Sequence, residues 1–325
     1  MAKAVRIHET GGPEVLRFED ITVPAPGPEQ VRVRQTAVGL NMIDTYHRSG
    51  LYPLPRLPHG IGLEAAGVVE DVGAQVSGVT VGDQVAYAAG PPGAYATARN
   101  VEATKLVPVV DGVTDLQAAA VLLKGMTVDY LIRRTFQVAP KMTVLFHAAA
   151  GGVGLLACQW LAHLGATVIG TVGSDEKAEL ARANGCHHPV VYTREDVVAR
   201  VMELTDGTGV PVVYDSVGKA TFQGSINCLA RRGTLVAFGN ASGAPEPFDP
   251  LILSQQGSLF LTRPTLFDYV TTHEELLASA KTVFDLVATG TLKVAIHQEV
   301  PLDQAVAAHR AIESRQTTGA TVLLP

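Results

Sequence analysis

The chain has 325 residues, 47% of them apolar and 17% charged, with a formal net charge of −6 at pH 7. This length exceeds what a single hydrophobic core usually serves, so two domains are expected, and the composition excludes broad disorder. Lys and Arg form no basic cluster, which argues against nucleic acid as a partner, and no apolar run is long enough to span a membrane.

From Lys3 to about Pro108 short β-rich runs fall at Gln30–Val38, Glu64–Val72, Asp83–Tyr87 and Gly93–Thr97, with Pro24–Pro28 and Pro91-Pro92-Gly93 between them. This pattern predicts a twisted, partly open β-barrel or sandwich. From about Thr143 the rhythm becomes strand, helix, strand. Strands are expected at Thr143–Phe146, Ala166–Thr171, Val190–Tyr192, Val210–Asp215, Thr234–Gly239 and Ser258–Thr262. Helices are expected at Gly154–Leu164, Asp175–Ala183, near Arg194–Thr205 and at Phe222–Ala230. Such crossovers imply a doubly wound parallel sheet. The tail adds helices at His273–Ala288 and Leu302–Glu313 and a strand at Ala320–Leu324. It is short for a domain of its own and is expected to complete the first one. Residues 1–123 and 264–325 then form a β-rich catalytic domain, and residues 124–263 an inserted α/β domain.

Three cysteines occur, Cys158, Cys186 and Cys228, without a C-x-x-C pair. They supply neither a disulfide framework nor a thiolate zinc site and fit a reducing compartment. Met1–Ile7 lacks the apolar core of a signal peptide, so the expected location is the cytoplasm.

The strongest local signal is His147-Ala148-Ala149-Ala150-Gly151-Gly152-Val153-Gly154, which follows an expected strand and opens an expected helix. Small residues at Ala148, Gly151 and Gly154 permit a tight turn and close approach to a pyrophosphate, and the helix start offers unpaired N–H groups. Ala150, Gly151, Gly152 and Val153 are therefore candidate dinucleotide contacts. The second strand ends at Gly173-Ser174 with no carboxylate at its tip, although Asp175 and Glu176 follow. An acid at that tip is what holds the ribose of NAD. Its absence, with Lys177 one turn on, Ser174 as a hydroxyl donor and Tyr192 at the third strand end, points to NADPH.

The segments His8–Leu16, Gly39–Tyr46, Ser49–Pro53, His147–Gly154, Val213–Gly218 and Phe238-Gly239-Asn240 together resemble the zinc-free quinone oxidoreductases of the medium-chain dehydrogenase/reductase superfamily, relatives of zeta-crystallin. The resemblance runs over essentially the whole chain. It implies a GroES-like catalytic domain, an inserted Rossmann domain and a homodimer. It also implies cofactor contacts from Asn41, Thr127, Gly173, Ser174, Lys177, Tyr192, Ser216, Phe238, Gly239, Asn240, Arg263 and Arg315.

Zinc alcohol dehydrogenases of that superfamily carry a cysteine near the position of Asn41, a His-Glu pair at Leu63-Glu64 and a cysteine near Leu123. This chain keeps only the glutamate, and Tyr87–Val101 holds no cysteine for a structural zinc. No metal is expected, with His47 and His59 as the nearest remaining donors. The expected reaction is direct hydride transfer from NADPH to a quinone, an acceptor that needs little electrophilic help. Asn41, Asp44, Tyr46 and Tyr52, read as lying on the loop after the strand that ends at Val38, are the candidate catalytic residues. A turn or helix-cap role is an equal reading for Asp44, and ordinary packing for the two tyrosines. Lys124 is a further candidate to face the cleft. The same cofactor site serves an alkenal or enone double-bond reductase, and the non-enzymatic alternatives are an RNA-binding protein and an NADPH sensor.

Overall fold

The computed structural model of the chain describes residues 2–315 and 317–325. It divides into two units: Met1–Lys124, Val270–Gly290 and Val294–Pro325 form unit 1, and Gly125–Tyr269 with Thr291–Lys293 form unit 2.

Unit 1 begins with strands β1 (Ala2–Ile7), β2 (Leu16–Ile21), β3 (Gln30–Leu40), β4 (His59–Gly60), β5 (Glu64–Val72), β6 (Gln84–Tyr87), β7 (Ala98–Glu102) and β8 (Val107–Pro108). Helix α1 (Met42–Ser49) follows β3, and α2 (Asp115–Asp129) follows β8. One sheet runs β2-β1-β4, and the larger one runs β15-β16-β3-β5-β6-β8 with β7 also on β3. Its last two strands, β15 (Ile296–Pro301) and β16 (Ala320–Leu324), come from the tail, together with α8 (His273–Ala288) and α9 (Ala305–Glu313). Alternate residues of β3, among them Val31, Val33 and Ala37, are buried, as in an antiparallel sheet with one covered face. Val69, Val85, Tyr87, Leu302 and Leu323 share that core.

Two expectations change here. Gly93–Thr97 is not a strand. Gly93, Ala94 and Tyr95 give their N–H groups to the Gly62 and Ile61 carbonyls, Ala4 bridges Ala96, and the strand starts only at Ala98. The segment after β3 is a helix rather than a loop. Asn41 adopts extended backbone as the N-cap, Asp44 accepts its N–H, and Gly50 in the left-handed region (φ 84°) ends the helix. Helix α2 is not among the expected elements; it opens on a reciprocal cap, Thr114 N–H to Gln117 and Gln117 N–H to Thr114, a signal present in the sequence.

In unit 2, strands β9 (Thr143–Phe146), β10 (Thr167–Val172), β11 (His188–Val191), β12 (Val210–Asp215), β13 (Leu229–Ala237) and β14 (Phe260–Thr262) are joined by α3 (Gly152–His163), α4 (Asp175–Ala183), α5 (Val197–Leu204), α6 (Phe222–Asn227) and α7 (Leu251–Gln255). All pair in parallel in the order β11-β10-β9-β12-β13-β14. That is the doubly wound Rossmann order, with its switch between β9 and β12. The strands are continuous apolar runs, as burial on both faces requires: Val144, Leu145, Phe146, Val212 and Val213 are inaccessible or nearly so. Helix α6 stops three residues before the expected Ala230, because Leu229 already begins β13.

Candidate active site

In unit 2 the sequence-predicted nucleotide residues collect at the carboxyl ends of the strands, where ligands bind in open α/β sheets. The turn after β9 is tight. Ala148 takes a left-handed conformation (φ 55°), and Gly151 N–H closes back onto the Ala148 carbonyl at 2.9 Å. A Cβ on Gly154 would stand 2.2 Å from the Ala148 carbonyl oxygen, so no side chain fits there. Gly151 caps α3 without a side-chain bond, which leaves the helix start open to an anion.

After β10, a Cβ on Gly173 would lie 2.8 Å from the Tyr192 hydroxyl, so a side chain there would have to push the Tyr192 ring aside. Ser174 caps α4, its hydroxyl accepting the Lys177 N–H. Asp175, the acid that could have favoured NAD, is held in an ion pair with Arg194 at 2.5 Å. Beyond β12 and β13, Ser216 and Phe238–Asn240 run side by side: Ala241 N–H bonds the Ser216 carbonyl, and Gly239 lies against Ser216 closely enough to exclude a Cβ. The Phe238 ring packs on Phe146, with centroids 5.8 Å apart. Arg263 follows β14, and Thr127 is buried in the part of α2 that belongs to unit 2. These features, a cradle that a Cβ would fill and an open helix start, fit a dinucleotide.

Unit 1 brings together residues that the sequence left scattered. Glu64 is fully buried at the start of β5. Its Oε2 accepts from Asn41 Nδ2 at 2.8 Å and from the Lys124 ammonium at 3.3 Å, and its Oε1 accepts the Leu123 N–H at 2.6 Å. Gly39 makes the approach possible, since a Cβ there would sit 2.4 Å from Glu64 Oε2 and 2.1 Å from the Ala119 carbonyl. Asn41, Glu64 and the Leu123 backbone, at or beside the positions of the zinc enzymes' ligands, are thus joined by hydrogen bonds, with a buried ammonium beside them. Both carboxylate oxygens are engaged and no thiolate or imidazole is present, so these residues do not fit zinc. Among the described residues, no group of three or more His, Cys, Asp or Glu could hold a metal ion.

Asp44 lies beneath Asn41 on α1. Its Oδ2 accepts the Asn41 N–H at 2.9 Å and the Tyr95 hydroxyl at 3.0 Å, while its buried Oδ1 meets no partner. Burial pushes its pKa up to about 7, against the pull of Asn41, Tyr95 and Lys124 and with a smaller push from Glu64. The chain continues through Tyr95 Oη to His309 Nε2 (3.1 Å) and from His309 Nδ1 to Arg48 (3.0 Å), which is paired with Glu313. Because arginine only donates, His309 Nδ1 must accept and Nε2 carry the hydrogen, so every bond in the chain points toward Asp44. His309 is accordingly neutral, its pKa lowered to about 3 by burial and by Arg48. Tyr46 and Tyr52 pack edge to face at 5.2 Å, and His47 lies 6.1 Å from Tyr52. Arg315 is an exposed residue of unit 1 in the left-handed region.

A GroES-like β-rich unit without a metal set, combined with a Rossmann unit carrying a dinucleotide cradle, defines a two-domain nucleotide-dependent oxidoreductase. Residues 27–115 match the alcohol dehydrogenase GroES-like domain, and residues 152–292 match a domain described as zinc-binding dehydrogenase. A quinone oxidoreductase of Pseudomonas aeruginosa is 53% identical over all of both chains. A 2-haloacrylate reductase of Burkholderia sp is 46% identical over all of this chain and 99% of its own. The crystal structure of Escherichia coli quinone oxidoreductase complexed with NADPH superimposes with a TM-score of 0.98 at 47% identity, covering 99% of this chain and 100% of that one. The chain belongs to the quinone oxidoreductase family of the medium-chain dehydrogenases/reductases.

Proposed function

We propose that the protein is an NADPH:quinone oxidoreductase that works without a metal. The observation that carries the reading is the buried Lys124–Glu64–Asn41 cluster, in which Asn41 stands near the position of one cysteine of the zinc relatives and Lys124 next to that of another. When bound, NADPH supplies the hydride. Gly151–Gly154 and the start of α3 hold its pyrophosphate, and Ser174, Lys177 and Tyr192 its 2′-phosphate. Ser216, Phe238, Gly239 and Asn240 line the path toward the nicotinamide. Thr127, Arg263, Arg315 and Asn41 complete the proposed contacts, and residues 1–123 with 264–325 are the proposed catalytic domain.

The acceptor needs a donor for the oxygen that gains negative charge. Lys124 spends one donor on Glu64, and an ammonium in so dry a place stabilises an adjacent oxyanion far more strongly than one in water. Glu64 and Asn41 keep it in place. Tyr46 and Tyr52 offer flat walls and hydroxyl donors for a ring. Asp44 acts through Asn41, whose backbone it fixes.

A conjugated double-bond acceptor is the second reading, favoured by the 2-haloacrylate reductase at 46% identity. NADPH oxidation with para-benzoquinone, a long-tailed quinone, a conjugated enal and 2-chloroacrylate separates the two: the quinones are expected to turn over fastest, and turnover confined to the enal or the acrylate would move the chain to the alkene reductases. Two further proposals rest on the family. A homodimer is supported by the edge strand β14, beside which Leu251 and Phe260 are exposed. A cytoplasmic location is supported by three cysteines that are all free thiols.

A further inference from the structure

A second buried polar chain lies in unit 2, under the nucleotide cradle, and no step of the proposed reaction uses it. Asp215, at the end of β12, is 1% exposed. Its Oδ1 gathers the N–H groups of Val217 (2.8 Å) and Gly218 (3.1 Å), and Thr221 bonds both carboxylate oxygens. Its Oδ2 receives the Ser225 hydroxyl at 2.6 Å. Ser225 Oγ meets His147 Nε2 at 3.0 Å, and His147 Nδ1 meets Thr171 Oγ1 at 2.9 Å. Thr171 Oγ1 in turn receives the N–H of Ala148, the left-handed residue of the glycine turn, at 3.3 Å.

The hydrogen positions follow from the ends. An ionised carboxylate only accepts, so Ser225 gives its proton to Asp215 and must accept from His147 Nε2–H. Nδ1 is then the acceptor, filled by the Thr171 hydroxyl, whose oxygen remains open for the Ala148 N–H. Every group has one role, and the imidazole stays neutral, its pKa lowered by burial despite Asp215. Aspartate, serine and histidine here resemble the ingredients of a hydrolase, but the polarity is wrong. The serine proton points at the aspartate, and Ser225 is inaccessible.

We infer that His147, Ser225 and Thr171 are positioning residues that tie the phosphate-binding turn after β9 to the loop after β12, so that the two halves of the nucleotide cradle are set by one buried carboxylate. The inference rests on the reading of unit 2 as the NADPH site. The tie holds Ala148, hence the open start of α3, in register with Val217 and Gly218. It does not reach the outer pocket formed by Ser174, Lys177 and Tyr192.

Calorimetric titration with NADPH and with adenosine 2′-monophosphate tests this on Ser225→Ala and on the near-isosteric Thr171→Val. Each substitution is expected to weaken NADPH about tenfold through the hydrogen bonds left unmade around His147. Adenosine 2′-monophosphate should bind as before, and kcat at saturating NADPH should hold while KM for NADPH rises. Because both act through one imidazole, the double variant should lose less than the product of the two single effects. Unchanged NADPH affinity in both variants, or parallel loss of both nucleotides, would overturn the inference. A wild-type chain that binds neither nucleotide would instead refute the NADPH reading beneath it.

Discussion

Replacing Lys124 by methionine removes the cation from the Glu64 cluster with little change in volume. At the 3.3 Å separation of Nζ and Oε2, and with an effective dielectric constant of about 20, the direct attraction is about 5 kcal/mol. Desolvation offsets much of that while both partners are present. Removing one leaves the Glu64 carboxylate buried on the Asn41 and Leu123 donors without a counter-charge, and such a break costs roughly 3–5 kcal/mol. For a protein of this size the melting temperature should fall by about 4–7 °C. Differential scanning fluorimetry at matched scan rates measures this, with Glu64→Gln and the double variant completing a thermodynamic cycle. The double variant should recover about 1–3 kcal/mol relative to the sum of the single losses. Turnover of Lys124→Met with a quinone should fall about 100- to 1,000-fold, as when an oxyanion donor is lost. A Lys124→Met protein that melts within about 2 °C of wild type would refute the reasoning, because no uncompensated charge would then have been left behind.

Asp44, raised to about 7 in the folded chain, binds its proton more tightly there than when unfolded. Its contribution is therefore present at low pH and lost as pH rises toward and through 7. His309, lowered to about 3 from an ordinary 6.5, acts in the opposite sense below 6.5. His309 is common to wild type and Asp44→Asn, whose amide mimics the neutral acid, so the stability of wild type relative to Asp44→Asn should fall from about pH 4 to about pH 7 and level off above that in thermal melts. Gly173→Ala must displace the Tyr192 hydroxyl, from which the new Cβ would be 2.8 Å, and should weaken NADPH in fluorescence titration. Lys177→Ala should lower the preference for NADPH over NADH about tenfold, one charge-assisted contact with a phosphate being lost, as a ratio of kcat/KM values would report. Phe260→Lys on the edge strand should shift the chain toward monomer in sedimentation if β14 joins two copies.

The cradle was legible because its signals are local. Ala148, Gly151 and Gly154 mark a turn between an apolar strand and a helix, and the crossovers that follow repeat with one period. Asp175–Ala183, Val210–Asp215 and His273–Ala288 run as their patterns predict for the same reason. The cluster in unit 1 was not legible. Arg48 and His309 meet across 261 residues, and Asn41, Glu64 and Lys124 come from the cap of α1, from β5 and from α2. No periodicity links them; only the packing of α2 on Gly39 does. Helix capping is one reading of Asp44, and Asn41 and Asp44 form such a cap, but in sequence the segment reads as a loop because a helix of eight residues offers little pattern. The third strand ends one residue short of the expected Tyr192, where the chain leaves the sheet.

The most direct test of metal-free, NADPH-dependent quinone reduction is one rate. Protein dialysed against a strong chelator is given NADPH or its C4-deuterated form with para-benzoquinone, and the loss of nicotinamide absorbance is followed. The account predicts full activity after chelation, a marked preference for NADPH over NADH and a primary isotope effect on kcat/KM. Activity that vanishes with the chelator and returns with added zinc would contradict it.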